Sequence, residues 1–223
     1  MINKIIIIIM SVLYGAALIT GISNSKNYTD FNSEENKLEH FEVGIIEGSL
    51  ASAVTEDLES RLTEQSAYIL KVKCIQNVEL DFLCATEKVE VVDVYKGNNI
   101  EKGDRISVIR NSSRLFYNLQ DFDSINLEFV NVMKSGKEYL VFLEKEIYDT
   151  GVYRTGDSII SPIFMYGEAE NAIVHSEHDD GCQSVPYTLV KDNEFFVADE
   201  EALRIIEELK YNMIDSVIER NRC

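Results

Sequence analysis

The sequence predicts a mainly β protein, a small barrel or sandwich with helices flanking it in the chain. Three observations carry that expectation. Between Ala67 and Leu143, five short runs read as strands (AYILKVKCI, CATEKVEVVDVYKG, DRISVIR, NLEFVNV and GKEYLVFL), with turn-forming residues between them. An uncharged apolar run, Ile5 to Ile22, precedes that stretch, and residues 199–223 place apolar side chains at helical spacing behind it. The chain has 223 residues, 45% of them apolar, enough for one sizeable core of globular type.

The strands are read from alternation. In the first run Tyr68, Leu70, Val72 and Cys74 share one face, with Lys71 and Lys73 on the other, the period of two of a half-buried strand. The second run changes phase, because Val89 and Val91 share a face while Val92 and Val94 are apolar on the opposite one. Two readings fit: a β-bulge that bends the strand, as at a barrel corner, or a strand buried on both faces. Gly97 ends that strand, and Lys102-Gly103-Asp104 turns into Ile106 and Val108. Ser135-Gly136-Lys137 turns in the same way into Tyr139, Val141 and Leu143.

VEVVDVYKG, followed by KGDRISVI and then SGKEYLVFL, resembles the bacterial netrin-like (tissue-inhibitor-of-metalloproteinase-like) OB-fold domains. In that family a strand ending V-x-x-V-[LY]-K-G precedes G-D-x-I-x-V and G-[KE]-x-Y-L-[VL]-F-L strands. SRLTEQSAYILKVKCI is similar to the family's approach to its first strand, so the likeness runs from about Val54 to Leu143. The resemblance implies a small OB-like Greek-key barrel in an exported protein, and no particular reaction. In the animal relatives, inhibition depends on a cysteine at the start of the mature chain. Here the first cysteine is Cys74, inside a strand, so that mechanism lacks its residue.

Charge narrows the partners. With 39 acidic and 21 basic residues the chain carries −18, and no acidic residue precedes Asp30. Phosphate binding rests on clusters of Lys and Arg, so nucleic acid is excluded as a partner. An anionic bilayer surface would repel the acidic part of the chain as well. The Ile5–Ile22 run is different. As a helix it would span about 27 Å, close to the hydrocarbon thickness of a bilayer. It reads as an uncleaved signal-anchor, with a signal peptide cleaved near Ser23–Ser25 as the alternative. Lys4 before the run and acidic chain after it place the remainder outside the cytoplasm in either case.

The expected organisation is therefore a signal-anchor or signal peptide over 1–25, a polar linker over 26–48, the OB-like barrel with extensions over 49–198, and a C-terminal helix over 199–223. Leu50, Val54, Leu58 and Leu62 recur every four residues and predict an amphipathic helix covering one end of the barrel. Leu115, Phe116, Tyr117 and Phe122, on an irregular stretch, are either an aromatic binding surface or a cover folded onto the barrel. GVYRT and SIISPIFMY supply further strands, the second an edge strand because of Pro162. Residues 187–190 and 194–197 around Asp192-Asn193 suggest a hairpin. Asp199 then caps a helix striped with Ala202, Ile205, Ile206, Leu209, Met213 and Val217, whose apolar face needs the outside of the barrel to rest on.

Chemistry is thinly signalled. His175, Glu177, His178, Asp179, Asp180 and Cys182 form the densest set of potential ligands. Zinc through the two histidines, or weak calcium through Glu177, Asp179 and Asp180, competes with a plain solvated acidic loop. No second ligand pair supports a metal, so no metal, cofactor or catalytic residue is assigned. Nucleophile-elbow, zinc-protease, P-loop and Rossmann motifs are all missing. If the first hairpin turns at Glu79, Cys74 and Cys84 face each other across it, either as an expected cross-strand disulfide or as two small buried side chains. Cys182 would then pair with Cys223, closing a loop of about 40 residues worth roughly 4 kcal/mol. Asn27 and Asn111 begin glycosylation sequons short enough to arise by chance. The functional expectation is a membrane-anchored, extracytoplasmic, non-enzymatic binding module whose partner is a protein, peptide or glycan. A metalloprotease-inhibitor-like protein, or a metal-binding enzyme or sensor built on the 175–182 loop, is the alternative.

Overall fold

In the computed structural model the described residues are Tyr14, 36–81, 84–110, 115–116, 123–177 and 183–220. The chain divides into two compact units, Met1–Lys37 and Leu38–Cys223, and every described strand belongs to the second. In chain order the strands are β1 (Phe41–Gly44), β2 (Tyr68–Cys74), β3 (Glu79–Asp81), β4 (Cys84–Lys96), β5 (Arg105–Ile109), β6 (Leu115–Phe116), β7 (Asp123–Ile125), β8 (Glu138–Glu146), β9 (Val152–Thr155), β10 (Ile163–Met165) and β11 (Ser184–Pro186). The helices are α1 (Gly48–Thr55), α2 (Leu58–Gln65), the single turn α3 (Tyr187–Val190) and α4 (Glu200–Arg220).

Five strands close a barrel in the order β8-β2-β4-β5-β9, with β9 returning to β8. All neighbours are antiparallel except β5 and β9. This mainly β architecture is consistent with an OB-like barrel. The phase change in the second strand is a bulge: Val72 faces Val91 while Lys71 faces Asp93, leaving Val92 over. The extra residue returns Val94 to the side of Val89 and Val91, so the strand bends without losing its inward row. Gly97 then leaves the strand at φ +141°, where a Cβ would meet the Tyr68 ring at 2.6 Å. Glycine alone suits that corner.

Two cores share the strands β2 and β8. Leu70, Val72 and Cys74 of β2 and Tyr139, Val141 and Leu143 of β8 fill the barrel with Val89, Val91, Ile106 and Val108. Ile69, Leu140 and Phe142 point outward from the same strands and meet Leu58 and Leu62 of α2 and Ile206, Leu209 and Met213 of α4. Each such side chain taken fully from water contributes about 1.5–3 kcal/mol, so the helices are held chiefly by this layer. α2 covers the barrel's flank, not its end as the sequence suggested, and α4 rests on the outside of the barrel as expected. The C-terminal helix and its stripe are as expected. Asp199 Oδ1 accepts the Ala202 N–H at 2.7 Å, and Oδ2 accepts the Gly48 N–H at 3.0 Å, so one carboxylate anchors the starts of α4 and α1. Gly48 permits that approach, since a Cβ there would lie 2.7 Å from Glu201 Cγ.

Several expectations are corrected. The helix expected through Leu50, Val54, Leu58 and Leu62 is two helices, interrupted at Glu56–Asp57, where Asp57 has φ −114° and ψ 5°. Leu50 is left exposed while Ala51 is buried. NLEFVNV is not a strand. Glu128 and Phe129 adopt φ of 56° and 59°, and the carbonyls that a ladder would need are taken by Arg110. Residues 187–190 form the turn α3, burying Tyr187 and Val190 on one side, and Phe195 and Val197 bridge to Val130 and Ile46 instead of forming a hairpin. The C-terminal part of the expected linker belongs to the folded unit, because Phe41 and Val43 are buried in β1, between β7 and β11. Among the described residues β10 is an edge strand, paired only with β8 and starting just after Pro162, as its proline predicted. Among the described residues no helix is long and apolar enough to cross a membrane. Apart from Tyr14, the Ile5–Ile22 run lies outside the described residues.

Candidate ligand-binding cleft

The inward row of β5 runs Ile106, Val108 and then Arg110, and that of β4 runs Ala85, Glu87 and Val89. Alternation thus places an arginine and a glutamate inside one end of the barrel, both 0% exposed. Arg110 Nε donates to Glu87 Oε2 at 3.1 Å and Nη2 to Oε1 at 3.4 Å. Nη1 also donates to the carbonyls of Leu127 (3.2 Å) and Val130 (2.6 Å), and Nη2 to that of Asn131 (2.5 Å). These contacts engage all five guanidinium N–H donors. Glu87 Oε1 accepts the Met133 N–H in turn. The pair therefore pins residues 127–133 across the barrel's end and sustains the left-handed backbone of Glu128 and Phe129, which costs roughly 1–2 kcal/mol per residue outside glycine.

A second buried pair ties α4 to the same region. Lys210 Nζ donates to Glu194 Oε2 at 2.6 Å and to the Gly167 carbonyl at 2.8 Å, while Glu194 Oε1 accepts the Met165 N–H at 2.7 Å. Burial pushes the Glu194 carboxyl up from its ordinary value, and Lys210 opposes that push. Neither pair is open to solvent, so both belong to the architecture.

The turn that Arg110 holds forms one wall of a cleft of about 620 Å³. The opposite wall is the break between α1 and α2, and a third side comes from Asp157, Ser158 and Ile159. Val54, Leu58 and Phe129 supply apolar lining, and Ile159 is 53% exposed beside them. Glu56, Asp57, Glu128 and Asp157 place four carboxylates around it, with Arg61 at one side. A smaller hollow of about 240 Å³ continues past Arg61 and Asp157, which line both. The walls are braced: the Glu128 N–H donates to Asn126 Oδ1 at 2.9 Å, and the Ser161 N–H donates to the Glu128 carbonyl at 3.0 Å. Ser158 is only 9% exposed, yet among the described residues its hydroxyl has no hydrogen-bond partner within the protein. A buried hydroxyl without a partner costs about 1–3 kcal/mol, and a ligand that supplies one recovers it.

The residues singled out in the sequence fare differently. His175 and Glu177 are exposed, while His178 to Cys182 lie outside the described residues. Among the described residues no group of His, Cys, Asp or Glu could hold a metal ion. Cys74 and Cys84 are both thiols, which corrects the expected pairing. The hairpin does not turn at Glu79: Cys74 faces Val89, and Glu79 itself lies in β3 opposite Thr86. Cys74 is sealed in the barrel core, 3.2 Å from the Gln76 carbonyl, and burial pushes its thiol up to about 11. Such a thiol is neither a nucleophile nor a terminal zinc ligand. Cys182, Cys223, Tyr117, Phe122, Asn27 and Asn111 lie outside the described residues, as do the side chains of Leu115 and Phe116. The cleft was missed in the sequence because its three walls come from segments far apart in the chain. No local period joins them. No protein-family model matches this chain, and no curated protein matches its sequence.

Proposed function

We propose that this chain is a non-enzymatic binding module held outside the cytoplasm by its N-terminal apolar segment, with an OB-like barrel of the netrin-like kind as scaffold. The observation that carries this reading is the cleft. It is a preformed hollow on the barrel's flank, large enough for a side chain or a short segment, with an apolar lining and a buried hydroxyl that none of the described residues satisfies. The described residues around it offer carboxylates, one guanidinium and a hydroxyl hydrogen-bonded to none of them, a set suited to recognition more than to covalent chemistry. The Ile5–Ile22 run and the acidic excess after it support the location, with a protein, peptide or glycan as partner and nucleic acid disfavoured by charge.

The test is crosslinking of the full chain in its native membrane, followed by mass spectrometry of captured partners. Recovery of one partner, lost when the cleft is altered, is the expected result. A hydrolytic or transferase turnover by the purified chain, abolished by a single substitution, would sink the reading.

A further inference from the structure

We infer that the cleft takes a basic side chain, lysine or arginine, presented by an extended peptide with apolar neighbours, an inference that rests on the binding-module reading. Charge is the first argument. Glu56, Asp57, Glu128 and Asp157 surround the hollow, and Glu56 and Asp57 stand exposed at the break between α1 and α2. Among the described residues these carboxylates do not converge into a metal site. They instead surround a space of about 620 Å³, which suits an extended organic cation more than a point ion.

The Ser158 hydroxyl is the independent second argument. It lies buried in the cleft lining without a partner among the described residues, and its oxygen can accept a hydrogen bond from an ammonium or guanidinium. The third argument separates a peptide from a simple polyamine. Arg61 stands at the edge, without an ion pair among the described residues, and would repel a chain of cations while donating to peptide carbonyls. Val54, Phe129 and the exposed Ile159 then give apolar neighbours of the basic residue a place to rest.

The experiment uses the full chain in detergent and three capped hexapeptides: one with a central lysine between two leucines, and its glutamate and norleucine counterparts. Each carries a fluorophore for anisotropy and a diazirine for photo-crosslinking. The lysine peptide should bind, weaken with added salt, and crosslink to residues 53–61, 126–129 or 157–159. The norleucine peptide should bind roughly fivefold or more weakly, and the glutamate peptide weaker still. Glu56→Gln with Asp57→Asn changes two exposed carboxylates, and Asp57 makes no side-chain cap bond, so the fold should survive while affinity falls roughly fivefold. Ser158→Ala should weaken binding with no loss in melting temperature, which a merely structural hydroxyl would not do. Equal binding of the three peptides, insensitivity to the double variant, or crosslinks elsewhere would overturn the ligand class. The module reading would still stand if native-membrane crosslinking captured a partner, and would fall separately if it did not.

Discussion

Arg110 and Ser158 are both buried polar side chains, and their surroundings treat them oppositely. Arg110 spends every donor on Glu87 and three carbonyls, so the barrel's end is a finished network. Ser158 lines the same cleft as the turn that this network holds in place, and among the described residues its hydroxyl is left unanswered. A completed polar network specifies geometry, whereas an incomplete one beside a hollow specifies what should fill it. The two regions are linked, because the first fixes the backbone that walls the second.

The contrast can be broken most forcefully at Arg110. Arg110→Met strands Glu87 inside the barrel and frees three carbonyls, so urea unfolding should show a loss of about 3–5 kcal/mol. Replacing Glu87 with Met in the same chain should recover part of that loss. A single-variant loss below about 1 kcal/mol would show that the network does not set the geometry.

Lys210→Met comes next. It leaves Glu194 buried without its cation, for about 3 kcal/mol near neutral pH. Burial already pushes the Glu194 carboxyl up, so it takes a proton more readily than an ordinary glutamate. Protonation removes the stranded charge, and the cost of the substitution should therefore shrink as pH falls. Melts at two pH values read this directly.

Asp199→Ala should cost about 1 kcal/mol. The Ala202 and Gly48 N–H groups hold the Asp199 carboxyl below its usual value. A carboxyl with a depressed folded-state value stabilises above the ordinary aspartate range, near pH 4, and loses that contribution as pH drops through the folded value. The parent and the variant should converge in acid.

The smallest effect sharpens the comparison most. Ser158→Ala removes a hydroxyl without a partner, so stability should stay within about 0.5 kcal/mol of the parent or rise. A clear loss would mean that Ser158 is already satisfied and that the cleft lacks its missing bond.

What the sequence showed was local and periodic. The inward rows of β2, β4, β5 and β8, the bulge at Val92, the edge strand after Pro162 and the Asp199 cap all follow from spacing over a few residues. Arg110 and Glu87 lie in the same inward rows, but a buried ion pair makes sense only once both strands are in register. NLEFVNV has the composition of a strand, but Glu128 and Phe129 turn at positive φ and the Arg110 guanidinium takes three of its carbonyls. The cleft is further out of reach: its walls meet through tertiary packing, and its informative residue is a serine with nothing local to mark it.

β1 is short, yet its neighbours are β7, in mid-chain, and β11, close to the C-terminus. Asp199 likewise bonds Gly48 across most of the polypeptide. A nascent chain therefore cannot complete its first strand's sheet until Pro186 has followed, nor seat α1 until Asp199 arrives. Such long-range pairing makes assembly slow, so residues 38–220 should fold as one unit only after most of the polypeptide has been made.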